Sequence, residues 1–254
     1  MAYHNNPRIV TDGLLLCYDM NNPRCYPGTG TTIYNLADST NYPSMGPHTT
    51  ASANLAYIDF VTTNPGYVEL TKGTTSSTNN EGNFLRGSGG IRGTLDNNFT
   101  TMGWMLRTDS SKSTILSYRQ EWTRLEFAVT SSTMEFRQRQ TVSPYTTNTT
   151  SVNVTNSLNV WDHYALVKIG IGAQATSSWK FYKNGTLLAT NSFAMDETMS
   201  SGGSNYHIGA AWSDDDYIVN AMGGYIGPVY HYTTSLSDAQ VLQNYNALKA
   251  RFGK

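Results

Sequence analysis

From Gly13 onward the chain is a succession of short runs in which apolar and polar residues alternate, separated by turn-rich segments. A period of two sends successive side chains to opposite faces of an extended backbone, so such runs build half-buried strands. In "TMGWML", Met102, Trp104 and Leu106 share a face, and in "RLEFAV", Leu125, Phe127 and Val129 do the same. In "TMEFRQ", Met134 and Phe136 lie opposite Glu135 and Arg137. "WKFYKNGTLLAT" adds a hairpin, because Asn184-Gly185 supplies the two positive-φ positions of a type I′ turn. "WDHYALVKI" is apolar on both faces, Tyr164 and Leu166 against Ala165 and Val167, which predicts a central strand covered on both sides. The whole pattern predicts an all-β antiparallel sandwich or barrel.

A length of 254 residues suits one such domain, and no linker divides it. Residues 1–12 precede the first strand and read as an N-terminal arm, either reaching a neighbouring subunit or without fixed structure; residues 13–254 form the single domain. Three stretches read as loops, 41–54, 71–83 and 141–157, each rich in Ser, Thr, Asn, Gly or Pro.

The chain ends on one amphipathic helix, predicted over 237–252. Ser237 with Gln240 makes a capping box, and Leu236 with Val241 a hydrophobic staple. Val241, Tyr245, Leu248 and Phe252 then form one apolar stripe, with Lys249, Arg251 and Gly253 suited to a C-terminus. The stripe is expected to pack on the chain's own sandwich.

Lys+Arg 17 against Asp+Glu 18 leaves no basic excess for a phosphate backbone, so nucleic acid is not an expected partner. Leu14 to Cys17 is too short for a membrane span or a signal-peptide core, so neither a membrane nor a secretory route is expected. Cys17 and Cys25 give no disulfide framework and read as buried or incidental thiols, and the N-x-S/T sites at Asn98, Asn148, Asn153 and Asn184 as chance in a Thr- and Asn-rich chain.

"GGYIGPVYHYTTSLSDAQ" resembles the last strand and closing segment of laminin-G-like, concanavalin A-like lectin/glucanase domains, through Gly224, Ile226, Val229, Tyr232, Leu236 and Ser237. "NFTTMGWMLRT", "VWDHYALVK" with "WKFYKNGTLLAT", and "AYIDFVTTNPGYVELT" are similar to further segments of that family in the same order, although the glycine usual after the early aspartate is absent. The resemblance implies an all-β fold, a two-sheet antiparallel jelly-roll sandwich. The opening "DGLLLCYDMNNPRCYPGTGTTIYNLAD" and the closing "VLQNYNALK" also resemble lectin-like domains of tailed-bacteriophage virion proteins.

Glucanases of that family carry an E-x-D-x-x-E strand, which sets nucleophile and acid on the same sugar. None of Glu69, Glu81, Glu121, Glu126, Glu135 and Glu197 has an aspartate two residues on, and no nucleophile, zinc or phosphate motif is present. A non-enzyme is therefore expected. His163, His207 and His231 lack ligand spacing and read as core or edge residues, His231 standing where the family usually carries an aliphatic residue.

The first functional reading is a non-enzymatic structural protein on the surface of a virion: a head decoration, head fibre or tail-fibre component assembled in the host cytoplasm. Its partners are other virion proteins or copies of itself in a homo-oligomer. The alternative is a carbohydrate-binding lectin or adhesin for host-surface glycans, with a glycan hydrolase behind both. Trp122, Tyr145, Tyr206, Trp212 and Tyr217 in or beside loops are the candidate sugar platforms; of these Trp122, Tyr206, Trp212 and Tyr217 are the first choices. In "WSDDDY", Asp214 and Asp216 are candidate calcium ligands, with a solvated acidic turn as the alternative.

Overall fold

The structure is a computed structural model. It describes residues 7–38, 40, 44–49, 58–72, 82–88, 91, 95, 97–120, 123–140, 147–171, 175–195, 205–212 and 218–254. The first strands are β1 (Leu14–Tyr18), β2 (Ile33–Tyr34), β3 (Ser44–Thr49), β4 (Asp59–Val61), β5 (Tyr67–Leu70) and β6 (Asn83–Ser88). The middle of the chain forms β7 (Phe99–Arg107), β8 (Ser113–Gln120), β9 (Thr123–Val129), β10 (Thr133–Gln140), β11 (Thr147–Asn153) and β12 (Trp161–Ile169). Then come β13 (Ser177–Lys183), β14 (Thr186–Phe193), β15 (Asn205–Ile208), β16 (Ala211–Trp212), β17 (Ile218–Val219) and β18 (Gly224–Tyr232). Helix α1 (Asp238–Leu248) and a 3-10 turn (Lys249–Phe252) close the chain.

The strands form two antiparallel sheets, so of the sandwich and barrel that the alternation allows the chain is a sandwich, as the resemblance implies. The first runs β14-β13-β12-β7-β18-β5-β4, and the second β11-β10-β9-β8-β15-β6-β3-β2. One edge of β18 is shared: Gly224 to Ile226 pair with β5, and Val229 to Tyr232 with β1. Between the sheets lies the main core, where Phe99, Leu166, Trp179 and Phe181 of the first sheet meet Leu116, Leu125, Phe127 and Phe136 of the second. Phe136 stacks on Trp179 with ring centroids 4.3 Å apart. Two of the stretches expected to be loops contain strands. β11 is an exposed edge strand, whose polar threonines are β-branched and suit a pleated backbone without needing burial. β3 falls within 41–54, and 73–81 of the third stretch lies outside the described residues.

A second apolar layer covers the outer face of the first sheet. Met102, Trp104, Ala165, Val167, Tyr182 and Tyr230 turn outward there and are buried under Val241, Leu248 and Phe252. Strand β12 is thus covered on both sides. The capping box is formed, with Gln240 N donating to Ser237 Oγ at 3.3 Å and Ser237 N to Gln240 Oε1 at 2.9 Å. The α-helix ends at Leu248 and the predicted last turn tightens to 3-10 before Gly253, at φ 69°, stops it.

The hairpin tip at Asn184 and Gly185, with φ of 51° and 76°, tucks beneath this helix. A Cβ on Gly185 would lie 2.9 Å from both Leu242 and Tyr245. The described part of the N-terminal arm also docks inward. Val10 N donates to Asn244 Oδ1 at 2.7 Å, Tyr232 Oη donates to the Val10 carbonyl at 3.0 Å, and Gln243 Nε2 donates to the Arg8 carbonyl at 2.7 Å. Those residues lie against the chain's own closing helix, where their backbone groups are satisfied.

Candidate functional site

Residues directly opposite on paired strands point to the same face, so register alone assembles rows across a sheet. On the outer face of the first sheet, Asp59 stands opposite Glu69, Glu69 opposite Tyr225, Tyr225 opposite Leu106, and Leu106 opposite Trp161. Tyr67 lies on the same face, two residues before Glu69. Helix α1 covers the neighbouring part of the sheet but leaves this row partly exposed.

Three of its rings form a shelf. Tyr67 and Tyr225 have centroids 4.9 Å apart, Tyr67 and Trp161 5.9 Å, and Trp161 and Tyr225 6.3 Å, all in tilted orientations. The shelf rests on the last turn of the chain: buried Phe252 lies 4.8 Å from Trp161 and stacks on Trp104 at 4.2 Å. Arg251 holds that turn in place through a bidentate pair with Asp19, at 2.8 and 2.9 Å, and by donating from Nε to the Pro65 carbonyl at 3.2 Å. Partial burial, Tyr225, Glu69 and Asp59 together raise the Tyr67 phenol, which therefore stays a hydrogen-bond donor at neutral pH.

Beside the shelf opens a polar cleft of about 290 Å³, lined among others by Glu69, Lys72, Thr108, Asp109, Gly223 and Tyr225. Its floor depends on two glycines. A Cβ on Gly224, at φ 134°, would meet the Leu106 carbonyl oxygen at 2.2 Å, and one on Gly223 would meet Asp109 Oδ2 at 2.6 Å. Buried Arg107 shapes the wall, donating to the carbonyls of Asp109, Ser111 and Thr130 at 3.1, 2.8 and 2.7 Å. Ser111 N in turn donates to Asp109 Oδ1 at 2.7 Å, which leaves Oδ2 toward the cleft side at Gly223. The result is an apolar ring surface joined to carboxylates, an ammonium and a hydroxyl.

The residues chosen from sequence fall elsewhere. Tyr206 is a correction: its ring is fully buried between the sheets and its hydroxyl lies 2.5 Å from that of Tyr18. In the short strand β15, Tyr206 and Ile208 take the inward parity and His207 the outward one, so no sugar reaches Tyr206. Trp122, Tyr145, Asp214, Asp216 and Tyr217 lie outside the described residues, and of Trp212 only the backbone, paired with β17, is described. Among the described residues no group of three or more His, Cys, Asp and Glu is placed to hold a metal ion. His231 is a satisfied core residue, with Nδ1 2.7 Å from Thr101 Oγ1, and His163 is fully buried beside Trp104 and Tyr245. Cys17 and Cys25 are free and buried, as expected. No described helix is long and apolar enough to cross a membrane.

Fold and surface together define an antiparallel β-sandwich with an exposed aromatic shelf. No family model and no curated protein matches the sequence. Solved structures do match in fold. The binding domain of botulinum neurotoxin DC in complex with SialylT superimposes with a TM-score of 0.60 at 11% identity, covering 94% of this chain and 52% of that one. The same domain in complex with rat synaptotagmin II gives 0.60 at 11%, with the same coverage. A structure concerned with the cell entry of botulinum neurotoxin type C, dependent upon interaction with two ganglioside molecules, gives 0.59 at 11% identity, again over 94% and 52%. The chain therefore spans about half the length of these structures, and at such identity the likeness shows the fold.

Proposed function

We propose that this domain is a non-enzymatic carbohydrate-binding module whose site is the Tyr67, Tyr225 and Trp161 shelf with its adjoining cleft. The observation that carries this reading is the shelf itself: three partly exposed rings, supported from below by Phe252, next to convergent polar groups. Ring faces pair with the C–H patches of a sugar, while Glu69, Asp109, Lys72 and Thr108 supply acceptors and donors for its hydroxyls. Neighbours in fold that are binding domains, one of them in complex with SialylT, support a binding role over a catalytic one.

The test is a glycan-array screen followed by titration of the best ligand. Trp161→Ala and Tyr225→Ala are each expected to weaken binding at least tenfold, since a ring desolvated against a ligand contributes on the order of 1.5–3 kcal/mol. Leu188→Ala, on the far edge strand, leaves affinity unchanged. Equal affinity for wild type and both ring variants would remove the shelf from the site. Repeating the titration with calcium and with chelator tests Asp214 and Asp216, whose calcium role rests on the sequence. A place on a virion surface, with other virion proteins or further copies of the chain as partners, rests on the opening and closing segments. Mass spectrometry of purified particles decides it, and absence from them would end that reading.

A further inference from the structure

Charge is spread unevenly over the shelf and its cleft. Asp59 of β4 and Glu69 of β5 stand directly opposite each other on the outer face of the first sheet, and Tyr225 of β18 stands on the other side of Glu69 in the same row. Asp59 is exposed, and Glu69 is half-buried beside Tyr225 where the shelf meets the cleft. After burial and Tyr225, these two carboxylates are what raises the Tyr67 phenol, so both act on whatever lies over that ring. Two negative side chains thus flank the aromatic surface of Tyr67, Tyr225 and Trp161.

Like charges directly opposite on paired strands repel, so this pair is a cost that the sheet alone gives no reason to carry. Among the described residues neither Asp59 nor Glu69 is in an ion pair. The cations of the neighbouring elements are engaged with other carboxylates: Arg251 pairs with Asp19, and Lys183 and Lys254 both pair with Asp162. Lys72 belongs to the cleft side, where it borders Gly223 together with Asp109 Oδ2. The shelf side is left negative. Ring faces are themselves negative, so an ammonium over them gains cation–π attraction while donating charge-assisted hydrogen bonds to the carboxylates. A sugar carrying carboxylate or sulfate meets repulsion from the same pair.

We propose that the shelf selects a cationic amino sugar, a saccharide whose ring lies on Tyr225 and Trp161 and whose protonated amine is held by Asp59 and Glu69. That the ligand is a saccharide rests on the carbohydrate-binding reading of the shelf; that it is cationic rests on the unpaired carboxylates beside the rings.

The experiment is a calorimetric titration of the full chain at pH 6.5 with five probes: a glucosamine tetramer, its N-acetylated counterpart, a galacturonic acid tetramer, tetralysine and calcium chloride, each at low and at physiological salt. The glucosamine tetramer binds, weakens with salt, and binds at least about tenfold tighter than the N-acetylated tetramer, whose acetyl groups remove the charge. The D59N/E69Q variant loses at least about tenfold in affinity for the amine and keeps its affinity for the N-acetylated tetramer, while Glu135→Gln, a carboxylate of the second sheet, changes neither. Glu69→Gln alone relieves the like-charge pair, so it raises the unfolding midpoint while weakening amine binding, a pair of effects that misfolding does not produce. The proposal is overturned if the glucosamine tetramer does not bind, if the N-acetylated or galacturonic tetramer binds as tightly, or if tetralysine binds best. Calcium binding that is lost in D59N/E69Q overturns it as well, by making the pair a metal site. Binding of the N-acetylated tetramer that depends on Trp161 and Tyr225, with no gain from the amine, sinks this proposal and leaves the shelf standing. Amine binding that is lost in D59N/E69Q but untouched by Trp161→Ala and Tyr225→Ala sinks the shelf and leaves the carboxylates as the amine's partners.

Discussion

Trp104→Ala is expected to lower the unfolding free energy by about 3–5 kcal/mol, a large part of the stability of a domain this size. Trp104 is wholly buried at the interface between the first sheet and the closing helix. Phe252 and Tyr245 stack on it nearly parallel, at 4.2 and 5.6 Å, and His163 stands opposite it on β12. Alanine leaves a void that a helix held by its capping box, by Asn244 and by the Arg251–Asp19 pair does not collapse to fill. The loss also reaches the shelf, because Phe252 bears on Trp104 from one side and on Trp161 from the other. Denaturant midpoints and glycan affinity should therefore fall together in this variant. A change below about 1 kcal/mol would mean that the helix contributes little to the sandwich.

Acid is expected to destabilise the protein steeply between about pH 6.5 and 4. Burial in an apolar setting pushes His163 and His231 from 6.5 down to about 3, so in the folded state both stay neutral across this window while the unfolded chain takes up the protons. Their folded values are depressed. Stability is therefore fully present above 6.5, falls as pH drops below it, and is lost at up to about 1.4 kcal/mol per pH unit for each histidine. Asp162 adds in the same direction. Burial alone would raise it, but hydrogen bonds from Asn184, Lys254 and Lys183 outweigh that and hold it below the usual range, so its contribution is also lost on acidification. Denaturant unfolding at pH 7, 6, 5 and 4 measures the slope, and His163→Phe should flatten it by about one proton. A stability profile that stays level down to pH 4 would show that these imidazoles already carry their protons in the native state.

Much of this architecture can be read from local pattern. The inward faces of β9 and β10, the type I′ hairpin and the capping box all depend on residues within four positions of one another, whereas the Met102, Trp104 and Leu106 face of β7, legible as a face, turns outward on the side that the helix covers. The two-sided burial of β12 was likewise visible in its unbroken apolar run. The candidate site was visible only in pieces. Tyr67 and Glu69 alternate with buried Val68 and Leu70, and Tyr225 precedes buried Ile226, so outward aromatic residues could be found by parity. Choosing aromatic residues near loops instead led to Tyr206, whose four-residue strand is too short for its parity to be read.

What the sequence determined by itself, then, is which residues share a face in its longer strands, where the Asn184-Gly185 hairpin turns, and how its last helix begins, because period, turn residues and caps act over short distances. Which strands become neighbours was decided by the tertiary structure. Asp59, Glu69, Tyr225, Leu106 and Trp161 come from five strands spread over 167 residues of chain, and they share one row only because β4, β5, β18, β7 and β12 pair in that order and register. That surface is a product of strand pairing, which is set by packing two sheets and a helix together and not by any residue's near neighbours.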